Sequence, residues 1–314
     1  MKRRKKARKY TFFLVALIVV LGVLFVSISK QSSKETSIPS QTYTVEDNGQ
    51  VTLEAKSAIK EIDGRRLELF TYNGQFPGPV LRVKQNSKIV VDFLNSLNQE
   101  TTIHWHGLRH NYKFDGVPGI SQPPVKPGQT FRYELFFPDA GVFWYHPHIR
   151  EDIQQERGMY GMIIVEPETA ESTPREVPML LDDMLLTEND FYPFSDKFTN
   201  FALMGRFGNV LLLNGETAYT LNVKKGETIR LYLLNTANVR PFNFSIEKTQ
   251  LRILGSDLSA YEQPFTTESI IIAPAERYIV DISFDTAGIY KIMNSNPTNT
   301  YELGNIIVDE EEVE

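Results

Sequence analysis

From Thr42 onward the chain is written in short apolar segments separated by turn dipeptides, and that rhythm limits it to β-architecture. Ile89–Leu94, Thr130–Leu135 and Tyr278–Phe284 are rich in β-branched and aromatic residues and often alternate apolar with polar, the period of a strand with one buried face. Asn73-Gly74, Pro77-Gly78-Pro79, Pro127-Gly128, Asn214-Gly215, Lys225-Gly226 and Ala287-Gly288 punctuate them as turns. No long amphipathic helix breaks the pattern, which predicts an all-β fold of sandwiches or barrels. A length of 314 residues suggests about two domains, and a weak internal echo agrees. Asn73-Gly74 leads into Leu81-Arg82-Val83-Lys84, Asn214-Gly215 leads into Leu221-Asn222-Val223-Lys224, and the strands that follow end near Asn95 and Asn235. Polar Glu166–Glu176 is the natural linker, so the expected layout is a first domain over 42–167, a linker over 168–176, a second domain over 177–308 and an acidic tail over 309–314.

The amino terminus has a different composition. Seven of the 33 Lys+Arg fall within residues 2–9, no acid precedes Glu35, and Tyr10–Ser29 is an uncharged, mostly apolar run. As a helix that run would be about 30 Å long, enough to cross a bilayer. The basic cluster would stay in the cytoplasm and leave the body outside. A cleaved signal peptide is the rival, with Ser27-Ile28-Ser29 offering small residues, but the run exceeds a typical signal-peptide core, which favours an anchor. Arg3-Arg4 is a poor twin-arginine signal, because more polar residues intervene before the apolar run. Residues 30–41 read as a polar stalk. The expected location is the cell membrane with an extracytoplasmic body, or secretion after cleavage.

Composition removes several chemistries. With no cysteine in the sequence there is no disulfide, zinc–thiolate site, iron–sulfur cluster or thiol nucleophile on it, and no blue-copper centre with a cysteine ligand. All 39 Asp+Glu lie in the body that follows the basic cluster, and an acidic body argues against nucleic acid as a partner.

Four of the five histidines form two His-x-His pairs, His104-Trp105-His106 and His146-Pro147-His148. On a strand, residues i and i+2 share a face, so each pair presents two imidazoles side by side and Trp105 must point the other way, into a core. Two adjacent strands bearing such pairs would gather four neutral imidazoles, an all-nitrogen site suited to copper, zinc, nickel or iron. A single His-x-His is often chance; two pairs drawn from five histidines are not. His110 has no pattern around it and reads as a loop residue.

These motifs resemble a known family. Asn73-Gly74-Gln75-Phe76-Pro77-Gly78-Pro79, Thr102-Ile103-His104-Trp105-His106-Gly107-Leu108, Gly141-Val142-Phe143-Trp144-Tyr145-His146-Pro147-His148 and Arg157–Pro167 are similar to the first domain of multicopper oxidases. Leu213-Asn214-Gly215, Arg230–Asn235, Ser256-Asp257 and Pro274-Ala275-Glu276-Arg277-Tyr278 are similar, less specifically, to the middle domain. The resemblance implies two consecutive cupredoxin-like Greek-key sandwiches and a copper cofactor. By carry-over His104 would bind type 2 copper, His106 and His146 one type 3 copper, and His148 the other. Asp115, in Asp115-Gly116, would match the acidic residue that helps deliver protons to reduced oxygen. It also reads as an ordinary turn aspartate, and both readings stand. The implied chemistry is oxidation of a reducing substrate coupled to reduction of O2 to water.

The sequence departs from the family pattern in one respect. It has no histidine after His148 and no cysteine, so the type 1 site and half of the cluster ligands would have to come from a last cupredoxin domain elsewhere, such as one on a separate chain. A copper-binding surface protein without turnover and a copper-free envelope scaffold are the alternatives. The retained histidines speak against the scaffold.

Overall fold

The structure is a computed structural model and describes residues 35–169, 174–194 and 198–312. The expected anchor at 1–29 lies outside the described residues. Among the described residues no helix is long and apolar enough to cross a membrane.

Residues from Thr36 onward pack as one unit made of two β-sandwiches. The strands of the first are β1 (Thr42–Thr44), β2 (Gln50–Ile62), β3 (Arg65–Tyr72), β4 (Val80–Lys84), β5 (Lys88–Asn95), β6 (His104–His106), β7 (Thr130–Phe136), β8 (Gly141–His146) and β9 (Gly161–Glu166). Those of the second are β10 (Arg175–Met184), β11 (Val210–Leu213), β12 (Tyr219–Lys225), β13 (Thr228–Asn235), β14 (Phe242–Ile246), β15 (Leu251–Ser256), β16 (Ser259–Thr267), β17 (Ser269–Ile272), β18 (Arg277–Ser283), β19 (Gly288–Ser295) and β20 (Thr300–Glu312). Among the described residues there are two short α-helices, α1 (Glu151–Gln154) and α2 (Phe198–Met204), and a 3-10 helical turn at Tyr112–Phe114. The chain passes between sandwiches from β9 to β10, with residues 170–173 outside the described ones and Arg175 and Glu176 already in strand.

The internal echo is a real repeat of topology. Sheet β3-β2-β5-β7 faces sheet β1-β4-β9-β8-β6, and β11-β10-β13-β18-β15-β16 faces β12-β20-β19-β14-β17. In each sandwich a central strand has a parallel neighbour on one side and an antiparallel one on the other: β2 and β7 around β5, β10 and β18 around β13. The two asparagines that end β5 and β13 do the same work. Asn95 donates to the carbonyls of Gln99 and Val125 and accepts from the Leu97 amide. Asn235 donates to Arg240 and Ile272 and accepts from Ala237. Both side chains are fully buried, so they satisfy loop backbone that water cannot reach. Asn95→Ala should cost about 2 kcal/mol in chemical denaturation; a change below about 0.5 kcal/mol would remove this role.

Each sandwich has its own core, the first around Trp105, Tyr133, Tyr145 and Phe93, the second around Phe242, Phe244, Leu231 and Ile282. A third apolar cluster joins them. Trp144, Tyr160, Met162 and Ile164 of the first pack with Leu180, Met184, Leu212 and Leu234 of the second. Strands β8 and β9 are thus covered on both faces, which is why they read as near-continuous apolar runs rather than alternating ones; β10 is covered likewise but carries the buried Asp182 and Asp183.

Candidate metal centre

The centre is built on the edge of the first sandwich, where β6 pairs antiparallel with β8 in the register His104↔His146, Trp105↔Tyr145, His106↔Trp144. Alternation sends Trp105 inward, fully buried, with its ring 5.3 Å from Tyr133 and 5.7 Å from Tyr145. It leaves His104, His106, Trp144 and His146 on the opposite face. Trp144 is the floor: it stacks on His146 at 4.1 Å and lies 5.2 Å from His106. His148 is not on the strand, which ends at His146. It arrives from the following bend, where its amide donates to the Thr102 hydroxyl at 3.3 Å. The expectation of two strand-borne pairs therefore holds for the first pair and only half of the second.

All four predicted imidazoles meet. Ring centroids are 5.7 Å apart for His104–His106, 5.4 Å for His104–His146, 4.6 Å for His104–His148, 5.7 Å for His106–His146 and 5.1 Å for His146–His148. Nitrogens of His104, His146 and His148 lie within 4.8 Å of one another. Three rings have Nδ1 engaged: His104 with the Asp115 carbonyl at 2.7 Å, His146 with the Pro147 carbonyl at 3.0 Å, and His148 with the Glu151 carboxylate. A neutral ring that donates from Nδ1 offers its Nε2 lone pair to a metal. His146 Nε2 is buried and has no hydrogen-bond partner. A buried acceptor without a partner is costly, and an ion coordinated by the gathered nitrogens satisfies it. The donor set, imidazole without sulfur, fits copper.

Burial favours the neutral form of His104, His106 and His146. Desolvation lowers the His104 pKa, and drives that of His146 well below the ordinary value with help from the other imidazoles. His106 is pushed down to about 4, first by burial and then by the Arg277 cation. Arg277 belongs to β18 of the second sandwich, which contains no histidine. Its Nε donates to the Val142 carbonyl at 2.8 Å and its Nη1 pairs with Asp257 at 2.6 Å. A Cβ on Gly107 would stand 2.9 Å from Arg277 Nη2, so the glycine after His106 admits this guanidinium. The second sandwich thus braces both metal-bearing strands. Its own strand β14, which pairs with β19 as β6 pairs with β8, presents Asn243 and Ser245 between buried Phe242, Phe244 and Ile246, with no histidine at all.

Asp115 lies between two histidines, its carboxylate 3.4 Å from His104 Nδ1 and 3.5 Å from His110 Nε2. His110 is in a loop as expected, but its side chain is only 2% exposed and faces Asp115. The sequence had no periodic signal to reveal that burial. It also did not reveal Glu151 or Arg277. Glu151 meets His148 only because α1 turns the chain back at i+3, and Arg277 arrives from another domain.

Family models described as "Multicopper oxidase" match residues 54–170, which contain all four histidines, and residues 176–309. Copper resistance protein A of Escherichia coli is 29% identical over 265 residues, covering 70% of this chain and 43% of that protein. A crystal structure of a multi-copper oxidase from Pseudomonas thermotolerans superposes with a TM-score of 0.78 at 29% identity, covering 86% of this chain and 66% of the other. The structure of Lac15 from a marine microbial metagenome gives 0.73 at 30% identity, covering 84% and 68%. The chain spans about half the length of the curated relatives it matches. Both sandwiches are cupredoxin-like. With the histidine motifs, the repeated topology and these matches agreeing, the chain belongs to the multicopper oxidase family.

Proposed function

We propose that this chain holds the first-domain half of a multicopper oxidase cluster. A domain with type 1 copper, elsewhere in the protein or on a separate chain, completes it for oxidation of a reducing substrate by O2. The observation that carries this reading is the buried, unpartnered His146 Nε2 amid three other imidazoles. In the assignment proposed here, His104 holds type 2 copper, His106 and His146 hold one type 3 copper, and His148 holds the other. Copper bound there supplies electron transfer to dioxygen, which ends as water. The chain's own residues orient the ligands, Trp144 stacks over His146 and shields it from water, and Asp115 stands beside His104 as the acidic residue that would pass protons to reduced oxygen.

Equilibrium dialysis with Cu(II) tests the ligands. His104→Ala and His148→Ala should each weaken binding at least about tenfold, or about 1.4 kcal/mol; binding unchanged in both would sink the site. Oxygen uptake by copper-loaded chain together with a domain bearing His-x-x-His-x-His and His-Cys-His tests the oxidase. No uptake would favour the second reading, extracytoplasmic copper binding without turnover, which the cysteine-free composition supports. The basic cluster at residues 2–9 and the apolar run to Ser29 support membrane attachment with the body outside the cytoplasm.

A further inference from the structure

We propose that Glu151 is a positioning residue that locks the His148 imidazole as the Nδ1–H tautomer, so that Nε2 is the metal-binding atom and a carboxylate stands behind it. This rests on the copper reading above. At His104 and His146 the nearest acceptors are main-chain carbonyls, those of Asp115 at 2.7 Å and Pro147 at 3.0 Å, with the Asp115 carboxylate standing off at 3.4 Å from His104 Nδ1. At His148 it is the Glu151 carboxylate. A carboxylate partner fixes the ring's orientation and raises its basicity more than a carbonyl does, because its charge favours the polarised N–H.

The chain is shaped to make this contact. Arg150, between ligand and helix, is left-handed with φ 45°, a conformation that costs a residue with a Cβ on the order of 1 kcal/mol. Such positions cluster at functional sites. This turn folds α1 back so that Glu151 reaches the ring three residues before it. Arg150 itself pairs with Asp152 through both Nε and Nη2, at 2.9 and 2.8 Å, which leaves Glu151 to the imidazole. The helix is held at its other end by Gln154, a buried side chain that accepts from Thr101 Oγ1 at 2.7 Å and donates to the Glu100 carbonyl at 2.9 Å. Thr102, next in the chain, receives the His148 amide. Ring, carboxylate and strand are therefore tied into one frame.

The test uses the whole chain and three variants, Glu151→Ala, Glu151→Gln and Asp152→Ala. Long-range proton–nitrogen NMR of the metal-free protein at pH 8 should find the Nδ1–H tautomer at His148 in the wild type and in Glu151→Gln, whose amide oxygen can still accept. Glu151→Ala should move the ring toward Nε2–H. Cu(II) competition titration should then rank wild type above Glu151→Gln above Glu151→Ala, with a loss for the last of about 10- to 100-fold. Asp152→Ala should match the wild type. An unchanged tautomer and affinity in Glu151→Ala would overturn the proposal while leaving copper binding intact. A wild type that binds no copper, with the tautomer shift still seen, would overturn the metal reading instead.

Discussion

Gly116→Ala will lower stability by about 4 kcal/mol and weaken copper binding with it. Gly116 has φ +77°, and a Cβ there would lie 1.7 Å from the Ile103 carbonyl oxygen and 2.8 Å from the His104 amide nitrogen. The first cost is conformational, on the order of 1–2 kcal/mol for a residue with a Cβ in the left-handed region. The second is a clash with main chain, which no rotamer change relieves and which adds about 1–3 kcal/mol when structure must shift. The strand that must move carries His104, and the loop that must move carries Asp115, whose carbonyl receives His104 Nδ1. Gly119→Ala is the internal control. It lies in the same loop at φ +74°, but nothing stands within 4 Å of its added Cβ, so it meets the conformational cost alone. Calorimetry should show a fall in Tm of about 10 °C for Gly116→Ala and a few degrees for Gly119→Ala. Equal shifts would mean that the close approach to Ile103 has no energetic consequence.

Glu156→Gln will change how stability depends on pH, by about 3 kcal/mol between pH 5 and pH 8. Glu156 is buried at the seam of the two sandwiches. It accepts from the Leu185 amide at 2.8 Å and from Asn238 at 2.7 Å, with Arg206 Nε 3.5 Å away. Burial pushes its carboxyl up to about 7 from an ordinary 4.5, an effect that the Leu185 hydrogen bond and the Arg206 cation only partly oppose. A raised carboxyl binds its proton more tightly in the folded state. Its contribution is full below pH 4.5 and is lost as pH rises through 7, at about 1.4 kcal/mol for each pH unit between them. Glutamine stays neutral throughout and carries no such slope. Chemical denaturation of both metal-free proteins should therefore show the variant gaining on the wild type from pH 5 to pH 8. Parallel curves would mean that Glu156 titrates normally.

The histidines impose the opposite slope on the wild type. His104, His106 and His146 all have lowered pKa values, so the unfolded chain binds more protons than the folded one below about 6.5. Their contribution is present above that pH and is lost as pH falls through the folded values, about 4 for His106. The two slopes oppose each other over the same window, roughly pH 4.5 to 6.5, so Glu156→Gln leaves the histidine slope of the metal-free protein unopposed there. The same lowering lets the rings stay neutral, and hence able to ligate, below the pH at which exposed histidines charge.

What the sequence determined by itself is what short-range geometry encodes. Asn73-Gly74 and Asn214-Gly215 both carry positive φ at each residue, the requirement of a tight turn that these pairs meet with little strain. Strand periodicity identified the β-class and sent Trp105 into the core, because alternation is a property of two neighbouring peptide units. The His-x-His spacing named all four imidazoles for the same reason. What only the tertiary structure decided is everything that depends on register and docking. The pairing His104↔His146 turns two motifs 42 residues apart into one site, and nothing local to either motif specifies it. His148 leaves the strand and is held by a helical turn. His110, patternless in sequence, is buried against Asp115, and Arg277 reaches the centre from the second sandwich. Apolar runs at β8 and β9 carry no period because both faces are covered, so their orientation becomes visible only when the second sandwich is in place. A contact between residues far apart in the chain depends on many weak packing preferences acting together, and no single spacing in the sequence records their sum.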